Sequence, residues 1–294
     1  MPIIDNVACE AFAGLGLQVL VTAQTKPLVQ AAVNGFTALP SVIVGGAEGG
    51  IGQSPQNYSN PGHRPGTLCQ LWVAGTDEKA QVKLQKNFAF RVRQALMTTP
   101  TVTVFNMLES ESKFDVTESI GHYGDGFESN VEQYGRHLLS VPLMMGHDFL
   151  IDREISYKEG VMGGFLWLYC DSVEHALTIA QKAIDTAQTV KNVSTIFGVC
   201  PSGSNLKGTK YPDYGPTTNY VLCPTLRGTI SNSEVPPGVS SIPEIVVNAF
   251  DLETLKQALK ALIDSIQGEK GLIRISSRSF GNQLGNYSIS LRDL

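Results

Sequence analysis

The chain has 294 residues and a formal net charge of −5 at pH 7, with 42% hydrophobic and 17% charged residues. That balance excludes a disordered chain, which is apolar-poor and highly charged, and lacks the basic excess of a nucleic-acid binder. The charged share lies below the ~25% of an average soluble domain, and glycine and proline number 29 and 15, so a weakly charged, glycine-rich surface has to be hidden somewhere.

No run reaches the ~18 apolar residues of a membrane span. The first residues carry Asp5 and Glu10 without the cationic start of a signal peptide. The five cysteines (Cys9, Cys69, Cys170, Cys200, Cys223) form no C-x-x-C pair, and the five histidines show no ligand spacing. The expectation is a cytoplasmic protein with reduced thiols and no metal, bound to neither nucleic acid nor membrane.

Taken in chain order, the first half opens with a β-rich run, Gln18–Ala23, then a helix over Lys26–Ala38 with Pro27 in its first turn. Ser41–Val44 reads as a second strand and Gly45–Gly52 (GGAEGGIG) as the loop after it. A third strand over Thr67–Ala74 leads to a helix over Asp77–Met97 with Asp77 as N-cap, and Thr101–Phe105 is the fourth strand. The segment Glu109–Gly163 holds a connection and an extra hairpin around His137–Met144.

The second half runs in the same order. A strand over Phe165–Cys170 precedes a helix over Val173–Ala187, capped by Asp171 or Ser172, with Ala176, Ile179, Ala180 and Ala183 at helical spacing. Val193–Val199 is the second strand, Cys200–Gly208 the loop after it, and Ile242–Ala249 the third strand. Asp251 caps a helix over Leu252–Ile266, and Leu272–Ser276 is the fourth strand.

Each half thus reads β-α-β-β-α-β, the split βαβ or ferredoxin-like unit. The fold class expected is α+β: two ferredoxin-like lobes, over 1–144 and 145–294, each an antiparallel sheet with its helices on one face. A single large α+β domain with chance similarity of its halves is the alternative.

Fold does not give function, so the halves are compared for chemistry. Matching the caps Asp77 and Asp251 gives an offset of 174 residues, which sets Gln70 against Glu244. Glu244 is the one charged residue in an apolar strand, sharing a face with Val246 and Asn248. A carboxylate there is costly unless paired or functional, and such a site raises its pKa toward the range of general acid/base work. The plainer reading has Glu244 topping an edge strand or pairing with Arg227 or Arg274.

Other segments carry weaker signals. Gly45–Gly52 lacks the Lys-Ser/Thr of a phosphate loop. The turn Gly121–Gly126 presents His122 and Asp125, Cys200–Ser204 has no nucleophile elbow around it, and Phe280–Tyr287 suits either a ligand cradle or a tight turn.

In these and neighbouring residues the chain resembles the formylmethanofuran:tetrahydromethanopterin formyltransferases. The pieces are Glu10-Ala11-Phe12, Ser41-Val42-Ile43, Ala47-Glu48-x-Gly50-Ile51, Arg64-Pro65-Gly66, Pro100-Thr101, Gly124-Asp125-Gly126, Gly163-Gly164-Phe165, Cys223-Pro224, Glu244-Ile245-Val246, and Ile275-Ser276 through Phe280-Gly281, Leu284-Gly285, Tyr287 and Leu291. Their order and spacing over both halves carry the resemblance.

The resemblance implies a duplicated ferredoxin-like fold and transfer of a formyl group between two carrier substrates, methanofuran and tetrahydromethanopterin, with no permanently bound cofactor. It implies a homo-oligomer, dimer or tetramer, or association with the subunits of a formyltransferase/hydrolase complex; a non-catalytic paralogue serving as a ligand-binding or scaffold subunit is the alternative. The family's acid/base glutamate falls on Glu244. Oxyanion and substrate contacts are expected from Ser202, Gly203, Ser204, Asn205, Asn248, Gly281, Asn282 and Asp125. The loop Phe197-Gly198-Val199-Cys200-Pro201 departs from the family's Pro-Gly-Gly pattern, and Asn205 stands where the family has a lysine.

Overall fold

The computed structural model describes residues 1–39, 46–53, 61–205, 210–211, 213 and 216–294. In chain order its elements are β1 (Ile3–Ile4), β2 (Ala8–Thr22), α1 (Lys26–Thr37), β3 (Glu48–Gly52), β4 (Gly66–Ala74), α2 (Glu78–Arg91), β5 (Thr103–Asn106), β6 (Lys113–Asp115), β7 (Ser129–Gln133), β8 (Arg136–Leu143), β9 (His147–Asp152) and β10 (Glu154–Cys170). There follow α3 (Val173–Ala187), β11 (Val193–Cys200), β12 (Ser204–Asn205), β13 (Thr217–Thr218), β14 (Glu244–Ala249), α4 (Leu252–Ile266), β15 (Leu272–Ser276) and β16 (Tyr287–Ser290).

The helices start where their caps dictate. Thr25, Asp77, Ser172 and Asp251 each accept, through a side-chain oxygen, the backbone N–H three residues on, satisfying a donor the helix cannot. Of the two cap candidates before α3, Ser172 takes the position. The sequence-predicted strand Ser41–Val44 lies outside the described residues. The segment read as the loop Gly45–Gly52 is corrected: Glu48–Gly52 is a strand paired with β4. Three of its five residues are glycines, which propensity alone assigns to a turn, but Gly49 is packed so tightly that a Cβ would lie 2.6 Å from the Thr37 backbone.

Two compact units divide the chain, Ala13–Gly160 and Met1–Phe12 with Val161–Leu294. This packing division is not the 144/145 division drawn from the sequence: the first twelve residues pack with the second half, and the boundary lies inside β10. Both β2 and β10 are far longer than the six-residue runs expected, because their first halves continue as strands through small or polar residues that carry no strong strand signal.

In Ala13–Gly160 the strands run β5-β2-β4-β3, all antiparallel, and the β7-β8-β9 meander extends this sheet beyond β5. Leu17, Val19, Val21, Leu71 and Val73 pack with Val29, Phe36, Leu84 and Phe88 of the two helices. The alternate residues Gly16, Gln18, Gln70 and Trp72 take the opposite face. Gly16 is needed there, since a Cβ would lie 2.5 Å from the Trp72 indole.

In the other unit the order is β15-β10-β14-β11, again antiparallel. Leu255, Leu259, Leu262 and Ile266 of α4 and Ile179 and Ile184 of α3 are buried with Leu166, Ile245 and Val247. Each such side chain contributes about 1.5–3 kcal/mol of burial. Gly164 lies directly under Leu255, so the even-numbered residues of this part of β10 face the helices and Phe165, Trp167 and Tyr169 face away. The fold is therefore mixed, with helices packed on antiparallel sheet in each unit.

Candidate active site

Glu244 opens β14, which lies between β10 and β11 and is not an edge strand. The register sets Trp167 opposite it on β10 and Cys200 opposite it on β11. Trp167 donates from Nε1 to Glu244 Oε1 at 2.9 Å, and the Cys200 thiol lies beside the carboxylate. Neither arginine anticipated as a partner is one: Arg227 donates to the Val239 carbonyl, and Arg274 pairs with Asp5.

A carboxylate with a neutral indole donor, a neutral thiol beside it and no cation on it among the described residues is poorly compensated for lost water. Burial pushes the Glu244 carboxyl above its ordinary range, and the Trp167 indole and the neighbouring Cys200 thiol pull part of that back. Cys200 is raised as well, chiefly by burial, with the Glu244 charge adding to it. That thiol stays protonated as a donor. The indole that holds Glu244 is itself fixed, with the Phe165 ring 5.4 Å and the Arg278 guanidinium 5.8 Å from it.

The equivalent place in the Ala13–Gly160 unit shows what the acid changes. There Gln18 stands opposite Gln70, as Trp167 stands opposite Glu244. Gln70 donates to Gln18 Oε1 at 2.8 Å and accepts from Trp72 Nε1 at 2.9 Å, and Gln18 donates to the Met107 carbonyl. The network is neutral, buried and satisfied. Both halves keep a tryptophan N–H on this position, but only one puts an ionisable group there.

Around Glu244, the backbone turns through Ser202 and Gly203 into the β12–β13 pair. The Ser202 carbonyl accepts from Cys200, the Gly203 carbonyl accepts from Asn219 N–H at 2.7 Å, and Gly203 lies against the Trp167 indole. Ser204 and Asn205 pair with Thr218 and Thr217. Asp125 belongs to the Ala13–Gly160 unit, where it ends a tight turn with φ 52°.

Three residues expected to meet substrate have a polar group engaged within the fold. Asn248 is fully buried, and its Oδ1 accepts from Gly163 N–H at 2.8 Å. It satisfies the donor that a β-bulge between Val161 and Gly164 frees from the ladder. The N–H groups of Gly281 and Asn282 are also taken, Gly281 by Ser279 Oγ and Asn282 by Glu10.

Glu10, 1% exposed, is a functional-looking acid that reasoning from local pattern passed over. Its Oε2 accepts from Phe280 N–H (2.6 Å), Asn282 N–H (3.0 Å) and Ser279 Oγ (3.2 Å), and its Oε1 from Leu284 N–H (2.5 Å) and Gly285 N–H (3.0 Å). The segment Phe280–Tyr287, read as either a ligand cradle or a tight turn, gathers backbone N–H groups around the chain's own carboxylate. Burial alone would raise this acid, but the backbone donors from Gly285, Leu284, Phe280 and Asn282 outweigh it and hold the group below its ordinary range. Gly285 admits the loop: a Cβ there would lie 2.3 Å from the Ala11 carbonyl oxygen. The one signal in sequence was a glutamate inside an apolar run, the same anomaly that marks Glu244.

The described residues contain no cluster of three metal-ligating side chains. Glu244 is thus a raised acid on an interior strand, beside a neutral thiol and with no histidine partner among the described residues.

Comparison with known proteins gives the particular family. The model of formylmethanofuran-tetrahydromethanopterin formyltransferase matches residues 2–143, and that of its proximal lobe matches 147–294. A formylmethanofuran–tetrahydromethanopterin formyltransferase-like protein of Archaeoglobus fulgidus is 40% identical over 99% of this chain and 96% of its own length. The structure of the formyltransferase from Methanosarcina barkeri superposes with a TM-score of 0.89 at 34% identity, covering 99% of this chain and 98% of that one. That of the formyltransferase/hydrolase complex from Methylorubrum extorquens, in complex with methylofuran, gives a TM-score of 0.86 at 27% identity, over 99% and 96% of the two chains. The chain belongs to the formylmethanofuran–tetrahydromethanopterin formyltransferase family.

Proposed function

We propose that this chain transfers a formyl group between formylmethanofuran and tetrahydromethanopterin, with Glu244 as the acid/base. The observation that carries the reading is the Glu244 carboxyl, raised by burial and held by Trp167 at a position where the other half has a neutral glutamine.

The acceptor nitrogen attacks the formyl carbon, a C–N bond forms, and the carbonyl π pair moves to oxygen. Glu244 takes the proton from that nitrogen. Collapse of the tetrahedral oxyanion breaks the donor C–N bond, and Glu244 returns the proton to the leaving nitrogen. A raised acid is matched to both transfers, a contribution of about 10²–10⁴-fold. Ser202, Gly203, Ser204 and Asn205 are proposed to contact substrate, with backbone N–H groups of this segment on the oxyanion at about 10²–10³-fold per donor; Asp125 is proposed as a further contact. Both carriers act as substrates, and no metal step is invoked.

The two halves are proposed to descend from duplication of a ferredoxin-like unit, with lobes 1–144 and 145–294. The common 4-1-3-2 strand order supports this, as do the two family models meeting between 143 and 147. A homo-oligomer, or assembly with formyl-hydrolase subunits, would cover the weakly charged surface, since interface cores are depleted in charge. Light scattering tests it, and a monomer removes that account of the composition.

Formyl transfer measured with both carriers tests the activity. Glu244→Gln is expected to lower kcat by two or more orders of magnitude; turnover near wild type removes Glu244 from the mechanism.

A further inference from the structure

A cavity of about 480 Å³ lies within the Met1–Phe12 and Val161–Leu294 unit, lined in part by Tyr169 of β10 and by Arg274 and Ser276 of β15. Register sets Tyr169 opposite Arg274 and Trp167 opposite Ser276, and Trp167 and Tyr169 face away from the helices, so the cavity belongs to the open face of the sheet. Arg278 lines it as well, and two acids, Asp5 and Glu234, complete its charged wall. Glu244 does not line it.

The donors of this cavity are poorly matched by the chain's own acceptors. Tyr169 is 5% exposed, yet its hydroxyl makes no hydrogen bond among the described residues. Asp5, Arg274, Glu234 and Arg278 all act on that hydroxyl, which places it among the four charges of the wall. Burial, with the Asp5 charge adding to it, pushes the phenol up to about 12, so it stays a neutral donor. Arg274 lies over the Tyr169 ring, 5.7 Å from its centre. The nearest acid oxygen, Asp5 Oδ1, is 3.6 Å from Arg274 Nε, beyond hydrogen-bond reach. The Arg274 guanidinium makes no hydrogen bond among the described residues, and its Nε is buried. Arg278 gives one Nη to Glu234 at 2.8 Å. Desolvated donors without acceptors are destabilising, and native proteins rarely keep several together. A bound oxyanion would satisfy them at once.

We propose that this cavity binds a small organic monocarboxylate, its oxygens accepting from the Tyr169 hydroxyl and the Arg274 and Arg278 guanidiniums, and its apolar body lying against Val7, Leu222 and Trp167. The two acids set the charge of the guest. Asp5 and Glu234 balance the two arginines, so a monoanion leaves one uncompensated charge in the cavity and a dianion leaves two. The planar guanidiniums suit a carboxylate, which each can grip by parallel N–H groups. The guest is separate from the acid/base centre, but a single side chain joins them: Arg278 lies 5.8 Å from the Trp167 ring centre, and that indole donates to Glu244.

The test is calorimetric titration of the full chain at constant ionic strength, with benzoate as the probe and inorganic sulfate as the dianionic control. Benzoate is expected to bind wild type saturably, and sulfate at equal concentration to leave it bound. Tyr169→Phe should weaken benzoate about 2- to 10-fold, the value of one neutral hydrogen bond, with Tm unchanged or raised because the hydroxyl has no partner to lose. Arg274→Gln should weaken it about 10-fold or more, as for a charged donor. Asp5→Asn removes an acid that faces the guest and should tighten binding about 2- to 5-fold. A gain in affinity cannot come from poor folding, so this variant keeps the test intact if Arg274→Gln is unstable. Glu244→Gln should bind benzoate as wild type does.

The proposal is overturned if benzoate does not saturate wild type, if Tyr169→Phe and Arg274→Gln bind it unchanged, if Asp5→Asn binds it more weakly, or if sulfate competes on equal terms. A changed affinity in Glu244→Gln would place the carboxylate beside that acid and overturn the assignment as well. None of these measurements uses turnover, so their outcome is independent of formyl transfer.

Discussion

Replacing Glu10 by glutamine removes one oxygen acceptor and nothing else of the side chain's shape. The five donors on Glu10 divide three to Oε2 and two to Oε1. Whichever oxygen becomes the NH₂ group, at least two donors lose their acceptor and face another donor. A buried unsatisfied donor costs about 1–3 kcal/mol, so Glu10→Gln should lose about 2–6 kcal/mol, a large part of the 5–15 kcal/mol typical of a domain. Urea unfolding at pH 7 measures it as a lower midpoint at unchanged slope. The pH dependence follows from the direction of the shift. A carboxyl that binds its proton more weakly when folded contributes fully above the unfolded value, about 4.3, and loses that contribution as pH falls through the lower folded value. The gap between wild type and variant should therefore narrow in acid. A loss under about 1 kcal/mol at pH 7 would refute the cradle as a stabilising device.

The other predictions concern the acid and its neutral counterpart. Glu244 is raised in the fold, so its ionised form is disfavoured there above the unfolded pKa; Glu244→Gln should be as stable as wild type or more so, with the gain growing as pH rises through the folded value. Urea titrations across pH check this alongside the turnover loss. Trp167→Phe removes a donor to the carboxylate and should raise the acid further, moving the acidic limb of the kcat/KM–pH profile to higher pH; an unmoved limb would show that Trp167 does not set the ionisation of Glu244. Gln70→Glu removes the donor to Gln18 Oε1 and buries a carboxylate against the neutral Trp72 donor. It should cost about 2–5 kcal/mol in urea unfolding and create no second activity.

Much of the architecture was legible along the chain. Helices α3 and α4 and strand β15 have the bounds that periodicity and caps dictate, because those signals are local: a cap side chain bonds three residues away, and an apolar stripe repeats every turn. Strand β3 was missed because its glycines signal a turn, and only the close fit against Thr37 explains them. Asn248 was placed on the same face as Glu244, yet alternation could not reveal a bulge on the neighbouring strand that consumes its oxygen. Gly281 and Asn282 were identified as anion-binding backbone, but the anion comes from Glu10, some 270 positions earlier.

The sequence by itself determined the order of most strands and helices along the chain and the presence of an acid in one strand where another carries an amide. Both are properties of single segments, fixed by spacing and residue type. Only the tertiary structure decided what each acid does. Packing puts a tryptophan and a thiol, but among the described residues no cation, beside Glu244, and gathers backbone donors around Glu10, so burial wins at the first and hydrogen bonding at the second. Two glutamates that look alike in the chain thus part in opposite directions, because solvation and partners belong to the packed neighbourhood and not to the residue.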